Sequence, residues 1–157
     1  MTGDVRLRDT TPADVEIFHS HRRQPEAARR ANIAAPDRQV YLNYWAEHVL
    51  GDDTVLVQTV LVDGEVAGNL LAWWRDDRRY LGGWFSQDFW GRGVGGQALR
   101  MFLAREPIRP LYADTDIVNT ASQRLMERCG FERAGIQETS VEYVLRSAPV
   151  SGGRAGR

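Results

Sequence analysis

A cluster of glycines is the feature of this sequence that most directly suggests chemistry. Residues 89–97 read FWGRGVGGQ, with glycine at four of the six positions from 91 to 96. Glycine weakens regular structure, so such a cluster indicates a tight turn or a point where another group approaches the main chain closely. A surface loop and a turn between core elements both satisfy the pattern. A third option is a phosphate site, in which main-chain N–H groups at the start of a helix bind an anion.

Two common phosphate-binding motifs fit this cluster poorly. A P-loop requires Lys followed by Ser or Thr after its last glycine, but Gln97-Ala98 stands there. The glycines of 91–96 do satisfy the G-x-G-x-x-G of dinucleotide-binding folds, and Asp114 or Asp116 lies about 20 residues further on. That motif follows a buried parallel strand, whereas the polar segment SQDFW and a hairpin signal precede this one. Both interpretations are therefore disfavoured.

The elements that must position the glycines can be read along the chain. Thr11 and Pro12 begin a first helix after a short strand, and Asp63-Gly64 marks a hairpin between two strands. The glycines open a third helix, and Gly130 ends a fourth one. The predicted order is β-α-α-β-β-β-α-β-α-β-β, a mixed α/β (α+β) sheet with helices on its faces. We expect one domain over 1–147 and a disordered tail over 148–157.

The segment between the first helix and the hairpin carries aromatic side chains. Residues 22–36 are rich in Arg and Ala, with two prolines, and predict an irregular, partly helical link. A second helix follows Asp37 and carries an aromatic face. That face contains Tyr41, Tyr44, Trp45 and His48.

Composition excludes several function classes. The 157 residues are 43% hydrophobic and carry a net charge of −1, which gives no reason to expect nucleic acid or a membrane surface as a partner. No apolar run approaches the roughly 18 residues of a membrane span, and the first residues resemble no signal peptide. The single cysteine, Cys129, excludes an internal disulfide and suits the cytoplasm. The chain has no lysine, so no Schiff-base or general-base lysine is available.

Two segments together resemble the GNAT superfamily of acetyl-CoA-dependent N-acetyltransferases. They are GWFSQDFWGRGVGGQALRMFL and NTASQRLMERCGFERAG. The first is similar to motif A, Arg/Gln-x-x-Gly-x-Gly/Ala, with Trp90 at the Arg/Gln position and Gly93 and Gly95 as the small residues. The second is similar to motif B, Asn-x-x-Ser followed by Gly-Phe, here Asn119, Ser122, Gly130 and Phe131. The resemblance covers about residues 4 to 146 and is nearest to the ribosomal-protein-alanine acetyltransferases.

The resemblance implies a fold and a cofactor. The expected sheet is mixed, mostly antiparallel and splayed between its fourth and fifth strands, with helices on both faces. Acetyl-CoA would place its pyrophosphate on the N–H groups of 92–97, and its pantetheine arm would pair with 84–86 like an added strand. CoA would be the product. The implied cofactor-binding residues are Trp84, Phe85, Ser86, Arg92, Gly93, Val94, Gly95, Gly96, Gln97, Asn119 and Ser122.

The resemblance also implies direct attack of a primary amine on the thioester in a ternary complex. The Phe85 N–H is then the oxyanion donor, and Asp114 is the candidate base, acting through water. Weaker candidates for the base are Asp116, Asp88 and Glu142. The family's usual tyrosine acid is replaced by Met126, which leaves Ser122 or water to protonate the thiolate. A non-catalytic acyl-CoA-binding module is therefore the alternative.

The acceptor is expected to be a small-molecule amine or a protein N-terminus that meets residues 22–40 and the last hairpin. Trp73 or Trp74 could wall its pocket, and five aspartates could form a funnel for a cationic substrate. These are Asp52, Asp53, Asp76, Asp77 and Asp88. The spacing of the three histidines, His19, His21 and His48, predicts no metal site. A homodimer is common in the superfamily and is the oligomer that the resemblance suggests.

Overall fold

The computed structural model describes residues 3–31 and 34–147, so the predicted tail at 148–157 lies outside the described residues. The strands are β1 (Val5–Asp9), β2 (Leu56–Val62), β3 (Glu65–Arg75), β4 (Arg78–Phe85), β5 (Leu111–Asp116), β6 (Glu132–Gln137) and β7 (Ser140–Leu145). The α-helices are α1 (Pro12–Arg22), α2 (Pro25–Ala31), α3 (Arg38–Tyr44), α4 (Val94–Arg105) and α5 (Thr120–Arg128). Helix α3 continues into a π-helical turn, Trp45–Val49, and a 3-10 turn, Gln87–Phe89, precedes α4.

One sheet runs through the molecule in the order β1-β2-β3-β4-β5-β7-β6. All neighbouring strands are antiparallel except β4 and β5, which are parallel. Strands β4 and β5 pair only at their beginnings, where Arg79 faces Leu111 and Tyr80 faces Tyr112. Beyond these two pairs the strands separate, so the sheet opens toward the carboxyl ends of β4 and β5. The predicted mixed sheet and its splay between the fourth and fifth strands are confirmed.

A buried ion pair lies at the closed end of this opening. Arg79 Nη2 and Nε donate to Glu106 Oε1 at 2.9 and 3.1 Å, and both side chains are at most 5% exposed. Arg79 Nη1 donates to the carbonyl oxygen of Thr54 at 2.7 Å, while Glu106 Oε2 accepts from the Ile108 N–H at 2.9 Å. The guanidinium therefore ties the start of β4 to the segment that follows α4. This contact helps to keep the two strands together at one end only.

Helices cover both faces of the sheet, as expected. Helix α4 packs through side chains such as Leu99 and Phe102 onto a core that includes Leu81 and Leu111. On the other face, α1, α3 and the π-helical turn form a second core of Val15, Phe18, Tyr41, Trp45 and Val49. Successive strand residues point to opposite faces, so each strand of the opening presents side chains to both faces of the sheet.

Three local predictions agree with the structure. The Thr11 N–H donates to the Asp14 carboxylate at 2.9 Å, which caps α1. Asp63 and Gly64 have φ of 51° and 85°, the conformation that a two-residue hairpin turn between β2 and β3 requires. Gly130 has φ of 95° and directly follows α5 and its C-cap.

The link at 22–36 is more regular than its sequence predicts, because it contains helix α2. Gln87, far away in sequence, accepts hydrogen bonds through its side-chain oxygen from the N–H groups of Glu26 and Ala27, at 3.2 and 3.3 Å. These are N–H groups at the start of α2 that have no partner within the helix. A cap supplied from another part of the chain leaves no local signal, which is why periodicity and composition predicted only a partly helical link here.

Candidate active site

A cleft of about 510 Å³ occupies the opening between β4 and β5. Its walls are the carboxyl halves of these two strands, residues 81–85 and 113–116. Its ends are the first turn of α4, residues 93–96, and the inner face of α5. The cleft therefore brings motif A, motif B and both splayed strands to one place.

The start of α4 presents bare main chain to the cleft. Gly93 caps the helix with φ of 78°, a left-handed conformation that side-chain-bearing residues rarely adopt. The first four N–H groups of a helix have no intrahelical partner, and the Gln97 N–H donates to the Gly93 carbonyl at 3.2 Å. The N–H groups available at this helix end are thus those of 93–96. The helix dipole adds positive potential there, which suits the phosphates of acetyl-CoA.

Four of the six residues in the predicted phosphate turn line the cleft. They are Gly93, Val94, Gly95 and Gly96. The other two, Arg92 and Gln97, are exposed and lie outside the lining, and the Arg92 guanidinium lies 5.1 Å from the Phe89 ring. A Cβ added at Gly95 would meet Leu125 Cδ2 at 3.4 Å and Phe85 Cε2 at 3.9 Å. A side chain at that position would thus enter space that the glycine leaves open between two cleft walls.

Arg30 is a cleft residue that sequence reasoning missed. Its guanidinium carbon lies 4.1 Å from the centroid of the Trp90 ring, and both residues line the cleft. Trp90 stands where the family's motif usually has Arg or Gln, so a guanidinium from α2 lies beside the position that lacks one. No local pattern could have indicated Arg30, because it lies 60 residues before Trp90 and reaches it only through the placement of α2.

The main-chain N–H groups along β4 point alternately toward its two neighbouring strands, β3 and β5. The Ser86 N–H donates to the Ala67 carbonyl at 2.8 Å, so the even-numbered residues at this end of β4 direct their N–H groups toward β3. The N–H groups of Gly83 and Phe85 then point to the β5 side, which is open at this level. The Phe85 N–H is directed into the cleft, while the N–H groups of Trp84 and Ser86 face β3.

Of the Trp84 and Ser86 side chains, only that of Trp84 lines the cleft. Ser86 is 1% exposed, and its Oγ accepts from Gln24 Nε2 at 3.1 Å and from the Asp88 N–H at 3.2 Å. It lies outside the cleft lining and caps the 3-10 turn that leads to the glycines.

Motif B forms the start of α5. Asn119 Oδ1 accepts from the Ser122 N–H at 3.2 Å, so Asn119 caps the helix. Asn119, Ser122, Leu125 and Met126 all line the cleft. Met126 is 8% exposed and also belongs to the main core, so the position of the family's usual tyrosine is filled by an apolar, packed side chain.

Asp114 lies on the cleft side of β5. Its neighbour Ala113 faces the α4 core, so Asp114 lies on the opposite face, that of α1 and α3. Arg75 Nη2 lies 3.2 Å from Asp114 Oδ2, and Glu142 on β7 is its cross-strand partner. Of the weaker candidates for the base, Asp116 lines the cleft, and Asp88 and Glu142 do not.

A second cavity, the aromatic pocket, has a volume of about 400 Å³ and lies on the α1 and α3 face of the sheet. Tyr41, Tyr44, Trp45 and His48 all line it, so the predicted shared face is confirmed. Trp73 and Trp74 also line it. The aromatic pocket shares Gly82, Gly83 and Trp84 with the cleft, so the two cavities meet along β4.

The predicted acceptor region is only partly brought to the aromatic pocket. Arg22, at the start of the 22–40 segment, lines it, as does Tyr41 directly after that segment, but no residue of β6 or β7 is in its described lining. Of the five aspartates that could form a funnel, only Asp52 lines it. The hairpin remains apart because β6 and β7 extend the sheet beyond β5, away from β4.

The histidines and the cysteine have other surroundings. His19 Nε2 lies 2.9 Å from the Pro36 carbonyl oxygen. Burial lowers the pKa of His21, with Asp88 opposing the shift, and burial raises the pKa of the Cys129 thiol. Within 3–31 and 34–147, no cluster of three or more His, Cys, Asp or Glu side chains could hold a metal ion.

No helix within the described residues is long and apolar enough to cross a membrane.

Comparison with known proteins assigns the family. The model of the acetyltransferase (GNAT) domain matches residues 4–132. The fold is that of the aminoglycoside acetyltransferase AAC(6')-Ib solved with coenzyme A, with a TM-score of 0.79, 20% identity, and coverage of 97% of this chain and 100% of that one. It is also that of RimL, a ribosomal L7/L12 alpha-N-protein acetyltransferase solved with coenzyme A, with a TM-score of 0.76, 16% identity and coverage of 92% and 95%.

An acetyltransferase from Thermus thermophilus has a TM-score of 0.78 and 22% identity, with coverage of 92% of this chain and 98% of that one. No curated protein sequence matches the chain. The match to the family model covers most of the chain and both motifs, together with the splayed strands that form the cleft. The chain therefore belongs to the GNAT acetyltransferase family and is an acetyl-CoA-dependent acetyltransferase.

Proposed function

We propose that this protein transfers the acetyl group of acetyl-CoA to a primary amine by direct attack of the amine in a ternary complex. The observation that carries the proposal is the meeting of the cleft and the aromatic pocket along Gly82, Gly83 and Trp84. Two ligands bound from opposite sides of β4 would come together at these residues. An acetyl group would then pass directly from donor to acceptor, with no acetylated side chain in between.

The residues that would hold acetyl-CoA follow from the cleft. The N–H groups of 93–96 would bind its pyrophosphate, with Arg30 adding positive charge beside them. The N–H groups of Gly83 and Phe85 are directed to the open side of β4, where the amides of the pantetheine arm could pair with them. Bound there, acetyl-CoA supplies a thioester carbonyl for the amine to attack.

Three groups of this chain would assist the attack. The Phe85 N–H would donate to the carbonyl oxygen as negative charge develops on it. Asp114, on the face of the sheet that carries the aromatic pocket, would accept the proton of the amine through water. Ser122 or water would protonate the departing thiolate, since Met126 has no proton to give.

The alternative from the sequence, a non-catalytic acyl-CoA-binding module, has the buried Met126 in its favour and the membership of the acetyltransferase family against it. The two candidates differ in one measurement, the release of CoA thiol from acetyl-CoA in the presence of amines. A binding module gives no release with any amine. A transferase gives release that depends on the amine and yields the acetylated product in equal amount.

Two kinds of acceptor are part of the proposal. The similar structures include AAC(6')-Ib in complex with ribostamycin and coenzyme A, and RimL, named for action on the α-amine of ribosomal L7/L12. A small-molecule amine and a protein N-terminus are therefore both proposed for this chain, with no nucleic acid or membrane partner. A cytoplasmic location and a homodimer remain predictions from the sequence and the resemblance.

Gly95→Glu tests the donor site. The new carboxylate would project between Leu125 and Phe85 into the cleft. We expect the affinity for acetyl-CoA, measured by calorimetry, to fall at least about 100-fold, because the carboxylate repels the pyrophosphate and fills its space. The cofactor-dependent rise in melting temperature should disappear as well.

Gly135→Glu is the matched control. A Cβ at Gly135 meets no atom within 4 Å, and the residue lies in β6, outside the cleft lining. This variant should bind acetyl-CoA as the wild type does. A folded Gly95→Glu protein with wild-type affinity would contradict the proposed donor site.

A further inference from the structure

The charges around the aromatic pocket bear on the choice of acceptor, an inference that rests on the proposed function. Among the residues that the structure describes, one carboxylate, Asp52, and one arginine, Arg22, line the pocket. The net charge of these two groups is zero, so the pocket offers no accumulated negative charge to attract a polycation. An acceptor that carries several ammonium groups would find at most one partner for them.

Arg22 is held in this pocket by aromatic rings. Its guanidinium carbon lies 4.4 Å from the centroid of the Trp84 ring and 5.8 Å from that of Tyr41. No carboxylate of the described residues forms an ion pair with it. Arg22 Nε and Trp84 Nε1 are buried and have no hydrogen-bond partner within residues 3–31 and 34–147. A cation fixed in this way can bind an oxygen of a ligand, since its charge is not already neutralised.

Arg22 also stands beside the point where acetyl transfer would occur. Trp84, against which it stacks, is one of the three residues that the aromatic pocket shares with the cleft. A neighbouring cation disfavours a protonated amine. The α-amine of a peptide, with a pKa of about 7.7–8.0, loses its proton far more readily than a side-chain amine near 10.4. The position therefore favours an α-amine, which also has a carbonyl or carboxylate oxygen three bonds from its nitrogen.

The walls of the pocket fit a flat apolar group. Trp73 lies directly over Gly82, where an added Cβ would come within 2.8 Å of the indole ring. Trp45, in the π-helical turn, and Tyr41, in α3, also line the pocket with their rings. At the rim, Tyr44 and Trp74 are 56% and 45% exposed, so apolar surface continues out of the pocket. Aromatic rings pack well against such surfaces, whereas a hydroxyl-rich sugar would leave polar groups without partners.

We propose that the acceptor is an α-amino acyl compound with an aromatic side chain, either a free amino acid or the first residue of a peptide. Its side chain lies between Trp73 and Trp45, and Arg22 binds its carboxylate or first carbonyl oxygen. The neutral α-amine forms a bond to the acetyl carbon as the bond from that carbon to sulphur breaks. The amine's proton passes to water, CoA leaves as the thiolate and takes up one proton, and the acceptor becomes an N-acetyl amide.

The test measures kcat/KM with acetyl-CoA and a panel of acceptors. The panel contains L-phenylalanine, L-phenylalaninamide, a tetrapeptide beginning with Phe, glycinamide, Nα-acetyl-lysinamide and ribostamycin. We expect at least one phenylalanine compound to exceed glycinamide, the lysine ε-amine and ribostamycin by tenfold or more. The free amino acid and the tetrapeptide distinguish the two sources of this chemistry.

Arg22→Met is the diagnostic variant, because methionine keeps the contact with the Trp84 ring and removes the charge. We expect kcat/KM for the preferred phenylalanine compound to fall tenfold or more, and the affinity of L-phenylalaninamide for the CoA complex, measured by tryptophan fluorescence, to fall with it. Arg23→Met is the control, since Arg23 is exposed and lies outside the pocket. This control should match the wild type in both measurements.

Each contrary outcome has a distinct meaning. Preference for ribostamycin or the ε-amine, or equal losses in Arg22→Met and Arg23→Met, overturns the α-amino acyl acceptor and leaves the proposed function standing. If acetyl-CoA binds but its acetyl group is transferred to none of the amines, both the α-amino acyl acceptor and the proposed acetyl transfer are overturned.

Discussion

Arg75 Nη2 lies 3.2 Å from Asp114 Oδ2, and this ion pair crosses over β4 to join β3 to β5. The same guanidinium lies 3.9 Å from the centroid of the Tyr80 ring, on the strand between them. Asp114 is thus held where β5 leaves β4, on the face of the sheet that carries the aromatic pocket. A carboxylate fixed at the mouth of the cleft is in a position to take a proton from an incoming amine through water.

Asp114→Asn is expected to lower kcat about 100-fold, the lower range for loss of a general base. Asparagine has nearly the same shape, and the Asp114 side chain is 40% exposed, so stability and the affinity for acetyl-CoA should stay near wild type. Steady-state kinetics and calorimetry measure these quantities.

Glu142→Gln is the matched control for that prediction. Glu142 is the cross-strand partner of Asp114 and lies outside the cleft lining, with Arg78 Nη1 3.6 Å from its carboxylate. We expect its kcat to stay within about threefold of wild type. An unchanged rate in Asp114→Asn, or an equal loss in Glu142→Gln, would reject Asp114 as the base.

Met126→Tyr restores the phenol that many family members carry at this position. Because Met126 lines the cleft, a phenol there can donate a proton to the departing thiolate. We expect kcat to rise by up to about tenfold, a modest gain because a CoA thiolate leaves readily. Met126→Phe, with the same ring and no hydroxyl, is the control. Equal rates in the two variants would show that the hydroxyl contributes nothing.

Removing one partner of the Arg79–Glu106 ion pair should be strongly destabilising. Arg79→Met leaves the Glu106 carboxylate buried without its counter-charge, which typically costs about 3–5 kcal/mol of unfolding free energy. Arg79→Met combined with Glu106→Leu should be less destabilised than Arg79→Met alone, since no buried charge remains. Urea denaturation measures both. A loss below about 1 kcal/mol in Arg79→Met would contradict this role.

Asp14 should make stability depend on pH in the acid range. Burial alone would raise its pKa, but hydrogen bonds from Arg8, the Thr11 N–H and Thr59 outweigh it and lower the pKa of Asp14 to about 2. The ordinary value of this carboxyl is 3.8, so its ionised form stabilises the fold above that pH. This contribution is lost as the pH falls through about 2.

The measurement compares wild type with Asp14→Asn at several pH values. From pH 6 to pH 2, the difference in their unfolding free energies should shrink by about 2 kcal/mol, because only the wild type loses an ionised carboxylate. Denaturant unfolding at each pH provides these values. A difference that does not change over this range would refute the assignment to Asp14.

Turns and caps could be predicted because their residues are neighbours in sequence. Asp63 and Gly64 adopt the backbone angles that their residue types favour, and Thr11 is capped by Asp14 three residues later. The start of α4 follows the same rule, since only glycine tolerates the φ of 78° at Gly93. These features depend on short-range sterics and hydrogen bonds, which the local sequence contains.

Long-range side-chain partners could not be predicted in this way. Arg30 contacts Trp90 through the placement of α2, whose start is capped by Gln87. The Ser86 side chain lies outside the cleft, where it accepts a hydrogen bond from Gln24. The alternation of hydrogen bonds along β4, which directs the Phe85 N–H rather than the Trp84 N–H to the cleft, depends on the register with β3. Register and helix placement come from the packing of whole elements.

By itself, the sequence determined the glycine-rich helix start, the capped α5 and the order of strands and helices apart from α2, and with them the family. These follow from residue types at fixed local spacing. Only the tertiary structure decided that the cleft and the aromatic pocket meet along 82–84, that Asp114 pairs with Arg75, and that Arg22 stacks on Trp84 with no ion-pair partner among the described residues. Those relationships join residues far apart in the chain, and they exist only after the sheet has opened between β4 and β5.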